Sequence, residues 1–292
     1  MNDRLKGFLL IIMGTVLWGA AGVVVQYLLQ EKMFAAGWLT IIRLICGGAV
    51  LLTVDKMIYH SQLSSIWWSP YKKDIIIFSA FGMLMTQYTY ICAISYSNAA
   101  TATILQYLMP IVVLLYVLIV ERRRPMIRES LCLIMALVGT FLLVTKGTFS
   151  RLAISQTALF WGLISAFAAA IYTLQPRKML QKYHSSLVVG WGMFIGGVLL
   201  SFFQSPFAFQ GIFDFKAAAG VLFVVICGTV ISFWSYIEST KYLYPTEVAA
   251  MASIEPFSSV VLSVIFMNVI FGWPEIIGSI LIVGTVFILA QK

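Results

Sequence analysis

Apolar residues run through this chain in long blocks, and the short stretches between them hold most of its Lys, Arg, Asp and Glu. A bilayer hydrocarbon core about 30 Å thick takes about 20 helical residues to cross. Ten blocks meet that length: residues 7–29, 36–54, 75–95, 98–119, 127–145, 155–175, 185–204, 217–238, 246–267 and 273–290. They predict an all-α integral membrane protein with ten transmembrane helices. The first block, after Arg4 and Lys6, exceeds the roughly 7–15 apolar residues of a signal peptide and is followed by nine others like it, so it reads as a span.

Composition agrees. Of the 292 residues, 61% are hydrophobic and 10% charged, against about 25% charged in a soluble domain; too few charges exist to coat so much apolar surface, and the solvent must be lipid. The net charge of +8 is not a nucleic-acid signature, because the basic residues lie between the blocks. With the N-terminus inside, 14 of the 19 Lys and Arg fall on inner segments: Arg4, Lys6, Lys56, Lys72, Lys73, Arg122, Arg123, Arg124, Arg128, Arg177, Lys178, Lys182, Lys241 and Lys292. Only Lys32, Lys146, Arg151 and Lys216 fall outside, and Arg43 is within a span. That bias predicts both termini in the cytoplasm. Trp67 and Trp68, beside Lys72 and Lys73, read as an inner interfacial anchor, with "SPFAFQGIFDF" (205–215) as its outer counterpart. The four cysteines lie in apolar blocks without metal-ligand spacing.

The halves repeat. "GMLMTQYTYICAISYSNAATATILQYLMP" (82–110) aligns without a gap on "GTVISFWSYIESTKYLYPTEVAAMASIEP" (228–256) at an offset of 146. Tyr90 meets Tyr236 and Pro110 meets Pro256; Gly47-Gly48 also meets Gly196-Gly197, and Gln26 meets Gln175, both at 149. The repeats are residues 1–146 and 150–292. Five spans per repeat is odd, so the second copy must cross the membrane in the opposite sense. Inverted repeats of this kind place substrate sites near the midplane, at interrupted helices.

The chain resembles the drug/metabolite transporter superfamily, specifically its EamA-type members with ten spans. The residues that carry the likeness are "LWGAAGVVVQ" (17–26), "IIRLICGGAVLL" (41–52), "AISYSNAATATILQYLMPIVVLLYVLIVER" (93–122) and "YLYPTEVAAMASIEPFSSVVLSVIF" (242–266) followed by "GWPEIIGSILIVGT". One departure stands out: Glu121 closes the first copy, where the second has Met267-Asn268. The resemblance implies movement of small metabolites, often amino acids or related compounds, commonly outward, across the inner membrane; some relatives import.

Candidate residues follow from depth. Glu255 lies eight residues beyond Glu247 at the inner end of the ninth span, about 12 Å at 1.5 Å per residue, close to the midplane. Ionised groups there cost about 2.5–3.5 kcal/mol and face a cavity or a partner. Glu255 either binds a cationic group or carries a coupling proton, or else it is a structural acid, protonated or paired with Arg43. Pro256 removes an N–H and frees the carbonyl of Ala252; with Pro110 it marks a hinge in each repeat. Arg43 holds a substrate carboxylate, pairs with Glu255 or caps carbonyls of a neighbouring helix. Trp18, Tyr88, Tyr90, Trp161, Tyr172, Trp234 and Tyr236 are candidate rings for a cation cage, the aligned pair Tyr90 and Tyr236 foremost, with packing as the alternative. Gln26, Gln87, Gln106 and Asn98 are in-span groups that bond a substrate or another helix.

No nucleophile–base spacing, metal cluster or Walker loop is present in the sequence. The expectation is a secondary transporter, without catalytic residues, metal or cofactor, driven by a proton or other coupling ion. A lipid flippase, an intramembrane enzyme and a passive channel are the rivals; oligomeric state is left open.

Overall fold

The computed structural model describes residues 3–148, 152–243 and 245–290; Arg151 and Lys292 of the charge count lie outside them. The described residues form ten helical spans: α1 (Asp3–Gln30), α2 (Ala36–Tyr59), α3 (Lys72–Tyr96), α4 (Ala99–Val120), α5 (Ile127–Thr145), α6 (Gln156–Leu174, with a further turn at Arg177–Leu180), α7 (Ser185–Ser201), α8 (Phe215–Ser239), α9 (Pro245–Ala252 and Ile254–Met267) and α10 (Trp273–Ala290). Seven are long and apolar enough to cross a membrane; α7, α10 and the second part of α9 are shorter apolar helices. The main boundary differences are at α1, which starts four residues before the predicted block, and α2, which runs five residues past it. Charged residues at span ends extend the helices beyond the apolar core.

Helix pairing follows the repeat. α2 packs on its equivalent α7, and α5 on its equivalent α10, while α3 on α6 is mirrored by α8 on α1. Of the aligned glycines, Gly48 and Gly197 serve the α2–α7 crossing. A Cβ on Gly48 would stand 2.6 Å from Phe194 N and 2.8 Å from Gly190 O, so only glycine lets these backbones touch.

Both fourth helices of the repeats are broken. α4 stops at Gln106 and restarts at Met109; α9 stops at Ala252 and restarts at Ile254. Gln106 and Ala252 each lie four residues before a proline, where the missing N–H and the crowded carbonyl interrupt the ladder. The same helices end alike, with Arg122 and Asn268 in the left-handed region at φ 50° and 51°. Glu121 and its unlike counterpart therefore differ in side chain, not in chain path. Arg123 closes the turn after α4 on Glu121 (2.7 Å) and Glu129 (2.7 and 2.8 Å).

α3 and α8 each contain a π-helical segment, Phe78–Leu84 and Ile226–Ile231, holding the aligned Gly82 and Gly228. In α8 the hydroxyls of Thr229 and Ser232 reach back five residues, to the carbonyls of Val224 (3.0 Å) and Cys227 (2.6 Å). The connector after α2 corrects the predicted anchor: Trp67 packs edge-on against Trp191 (5.3 Å), and only Trp68 is exposed.

Candidate functional site

A cavity of about 650 Å³ lies between the repeats, and every span but α5 contributes to its wall. It reaches from Gly22, Arg43 and Tyr90 near the middle of the bundle to Leu180, Ser185 and Leu289 at the face that carries both chain ends. Of the predicted site residues it gathers Trp18, Arg43, Gln87, Tyr90, Tyr236 and Glu255, with Pro110.

Glu255 is in the first turn of the second part of α9, so the break brings it to the wall. Across from it is the break in α4. The Tyr107 hydroxyl donates to Ala252 O at 2.7 Å, filling the carbonyl that Pro256 frees, and its oxygen lies 3.2 Å from Glu255 Oε2. α1 closes in behind: a Cβ on Gly19 would stand 2.9 Å from both Glu255 O and Ser259 N.

Arg43 does not pair with Glu255; among the described residues no ion pair within 4 Å joins them. The Arg43 side chain crosses instead to the π segment of α8, where Nε meets Thr229 Oγ1 at 3.3 Å and Nη2 meets Gly228 O at 3.4 Å. It caps a carbonyl that the wide turn leaves available, and still lines the cavity. Glu255, the one acid among the described residues of the wall, thus has a phenol in contact, with Arg43 on the same wall but beyond ion-pair distance. An ionised carboxylate so placed costs about 2.5–3.5 kcal/mol, which a ligand cation or a proton offsets.

Rings dominate the remaining wall. Trp18 packs on Phe233 (5.1 Å) and Tyr236 (5.3 Å), and Phe78 stacks on Tyr172 (5.6 Å). Tyr90 shares a hydrogen bond with Thr103 at 2.8 Å. Gln106 donates to Ser165 Oγ at 2.8 Å, while Gln87 lines the cavity.

Other predicted residues lie elsewhere. Gln26 is buried outside the cavity; its Oε1 accepts from Ala99 N at 2.8 Å and caps the start of α4 beside Asn98, which accepts from Thr101 N. Pro256 is buried behind the wall. Tyr88 accepts from Gln204 at 3.3 Å and packs on Trp161 (5.9 Å), and Trp234 is exposed. Sequence reasoning passed over Tyr107, Phe78 and Phe233. Tyr107 was within reach: it sits three residues before Pro110, where a broken helix exposes side chains, and aligns with Ser253 at the other break.

The face away from the chain ends is shut. Phe34, from the α1–α2 loop, is buried among Phe209 (4.9 Å), Trp38 (5.4 Å) and Phe213 (6.2 Å). Phe209 and Phe213 belong to the predicted outer anchor, whose Phe207, Phe213 and Phe215 are exposed. Ile212 N donates to Lys32 O (2.9 Å), Trp38 Nε1 to Pro206 O (2.9 Å), and Lys32 pairs with Asp214 at 2.6 Å. That hydrogen bond holds the Asp214 carboxyl below its ordinary range and the Lys32 ammonium above its own. Each of these three polar contacts joins the first repeat to the second.

Comparison with known proteins matches the model of the EamA-like transporter family to residues 5–145 and 156–291. An uncharacterized inner membrane transporter of Salmonella typhimurium, YicL, is 35% identical over 99% of this chain and 97% of its own. An uncharacterized transporter of Archaeoglobus fulgidus is 25% identical over 68% of this chain and 70% of its own. One solved crystal structure shares the fold, with a TM-score of 0.66 at 15% identity, covering 98% of this chain and 96% of that one.

Proposed function

Because the chain belongs to the EamA-like transporter family, we propose that it is a secondary carrier of the cytoplasmic membrane that moves a small polar metabolite, an amino acid or an amine, by alternating access. The observation that carries this reading is Glu255: one carboxylate at a helix break, in a ring-lined cavity between inverted repeats. A substrate ammonium group docks on Glu255, and the rings of Trp18, Tyr90 and Tyr236 add about 0.5–2 kcal/mol each where they face the cation. Arg43, on the same wall, is placed for a substrate carboxylate once one enters. Interrupted helices and a site between inverted repeats are how many secondary transporters are built.

The cavity reaches the face that carries both chain ends, and the lysine and arginine bias supports a cytoplasmic side for that face. A site loaded from inside and shut outside by Phe34, Phe209 and the Lys32–Asp214 pair supports export. Transport then requires the outer closure to open as the inner mouth narrows. The inner-membrane name of the Salmonella relative supports the location.

Purified protein is first screened by thermal shift against amino acids, amines, carboxylates and neutral sugars. The stabilising compound is then tested for counterflow in proteoliposomes. Saturable counterflow of an amine or amino acid, lost in Glu255→Gln, is the expected result. Stabilisation by neutral sugars alone, or a flux that neither saturates nor shows counterflow, would overturn the reading.

A further inference from the structure

A phenol has one proton to donate, and the Tyr107 hydroxyl stands near two acceptors. It is 2.7 Å from Ala252 O and 3.2 Å from Glu255 Oε2. The shorter contact takes the proton, since the Ala252 carbonyl has lost its helical partner to Pro256. Two oxygens carrying lone pairs then face each other at 3.2 Å. That contact is attractive only if a proton lies between them, and the one group able to supply it is the Glu255 carboxyl. The groups facing Glu255 do not remove the need: Arg43 is bonded to α8, and Tyr90 and Tyr236 are neutral phenols on the same wall.

We propose that Tyr107 is a positioning residue which, through one hydroxyl group, holds a proton on Glu255 and ties the break in α9 to the break in α4. The bond sequence is Glu255 O–H to Tyr107 O, and Tyr107 O–H to Ala252 O. When the proton leaves Glu255, the carboxylate draws the Tyr107 proton to itself, and Ala252 O loses its donor. The tie between the two broken helices then runs from Tyr107 to the Glu255 carboxylate, and the carbonyl at the break in α9 is left bare. Loss of a proton at one side chain is thereby converted into loss of the bond that satisfies the break in α9. The inference rests on the cavity being the transport site and goes further, in assigning the coupling ion as a proton and naming the residue that reads it.

The test is infrared spectroscopy of the purified wild type, Glu255→Gln and Tyr107→Phe near neutral pH, without substrate. The wild type is expected to show the carbonyl band of a protonated carboxylic acid that is lost in Glu255→Gln. Tyr107→Phe removes the acceptor for that proton and is expected to lose most of the band at the same pH. An empty acid region in the difference between wild type and Glu255→Gln would overturn the proposal. So would a band that is unchanged or stronger in Tyr107→Phe, because the hydroxyl would then be donating to a carboxylate. Should Tyr107→Phe fail to fold, the Glu255→Gln difference still decides whether the proton is there. The signal needs no transport, so a carrier that fails the substrate screen and a missing proton are separate results.

Discussion

Replacing Phe34 by Ala tests whether ring packing is what shuts the face away from the chain ends. Phe34 is 4% exposed, with Phe209, Trp38 and Phe213 at ring distances of 4.9, 5.4 and 6.2 Å. Truncating a buried Phe costs about 3–5 kcal/mol. If these contacts exist only while this face is closed, the whole cost falls on the closed state. At about 1.4 kcal/mol per decade, the ratio of open to closed rises by roughly two to three and a half decades. The assay is a cysteine at Thr86, on the cavity wall, in a background lacking Cys46, Cys92, Cys132 and Cys227. A membrane-impermeant thiol reagent is added from outside. Phe34→Ala is expected to raise the labelling rate at least tenfold. Unchanged labelling with a full loss of thermal stability would refute the reasoning, because the cluster would then hold the fold in every state.

The Asp214 carboxyl is depressed by its hydrogen bond from Lys32, so this contact stabilises the closed face above the ordinary carboxylate range. The stability is lost as pH falls through the depressed value. External acid should speed labelling at Thr86→Cys in the wild type, and Asp214→Asn should be labelled faster at neutral pH with little further change on acidification. Gly48→Ala must force Cβ against the backbone of α7 and should cost about 1–3 kcal/mol by thermal unfolding, whereas Gly284→Ala, which meets only the end of Met135 at 3.2 Å, should be near neutral. Arg43→Gln leaves Gly228 O without its donor and should lose about 1–3 kcal/mol in the same measurement.

The spans and their inverted repetition were legible because hydrocarbon thickness and loop charge act on every residue of a block. The prolines were legible too, but not the path around them: a proline disturbs the carbonyl four residues earlier, so the breaks fall after Gln106 and Ala252, and Tyr107 enters the site. The two π segments left no mark in the apolar pattern, since an extra residue in a turn changes neither composition nor length noticeably. Gln26 read as a ligand group because depth alone does not say which neighbour a side chain meets; here it meets the bare N–H of Ala99. Glu255 was found by being out of keeping with its surroundings, the one signal that survives in so uniform a chain.

The π segments of α3 and α8 have a kinematic consequence. Converting one to α-helix removes a residue from the turn. Everything on one side then rotates by about 100° and advances about 1.5 Å relative to the other. In α3 that motion would carry Gln87 and Tyr90 around the axis past Phe78; in α8 it would withdraw Gly228 O from Arg43 and swing Phe233 and Tyr236. Each half thus carries, at matching positions, a turn whose conversion would rotate the cavity wall from within the helix.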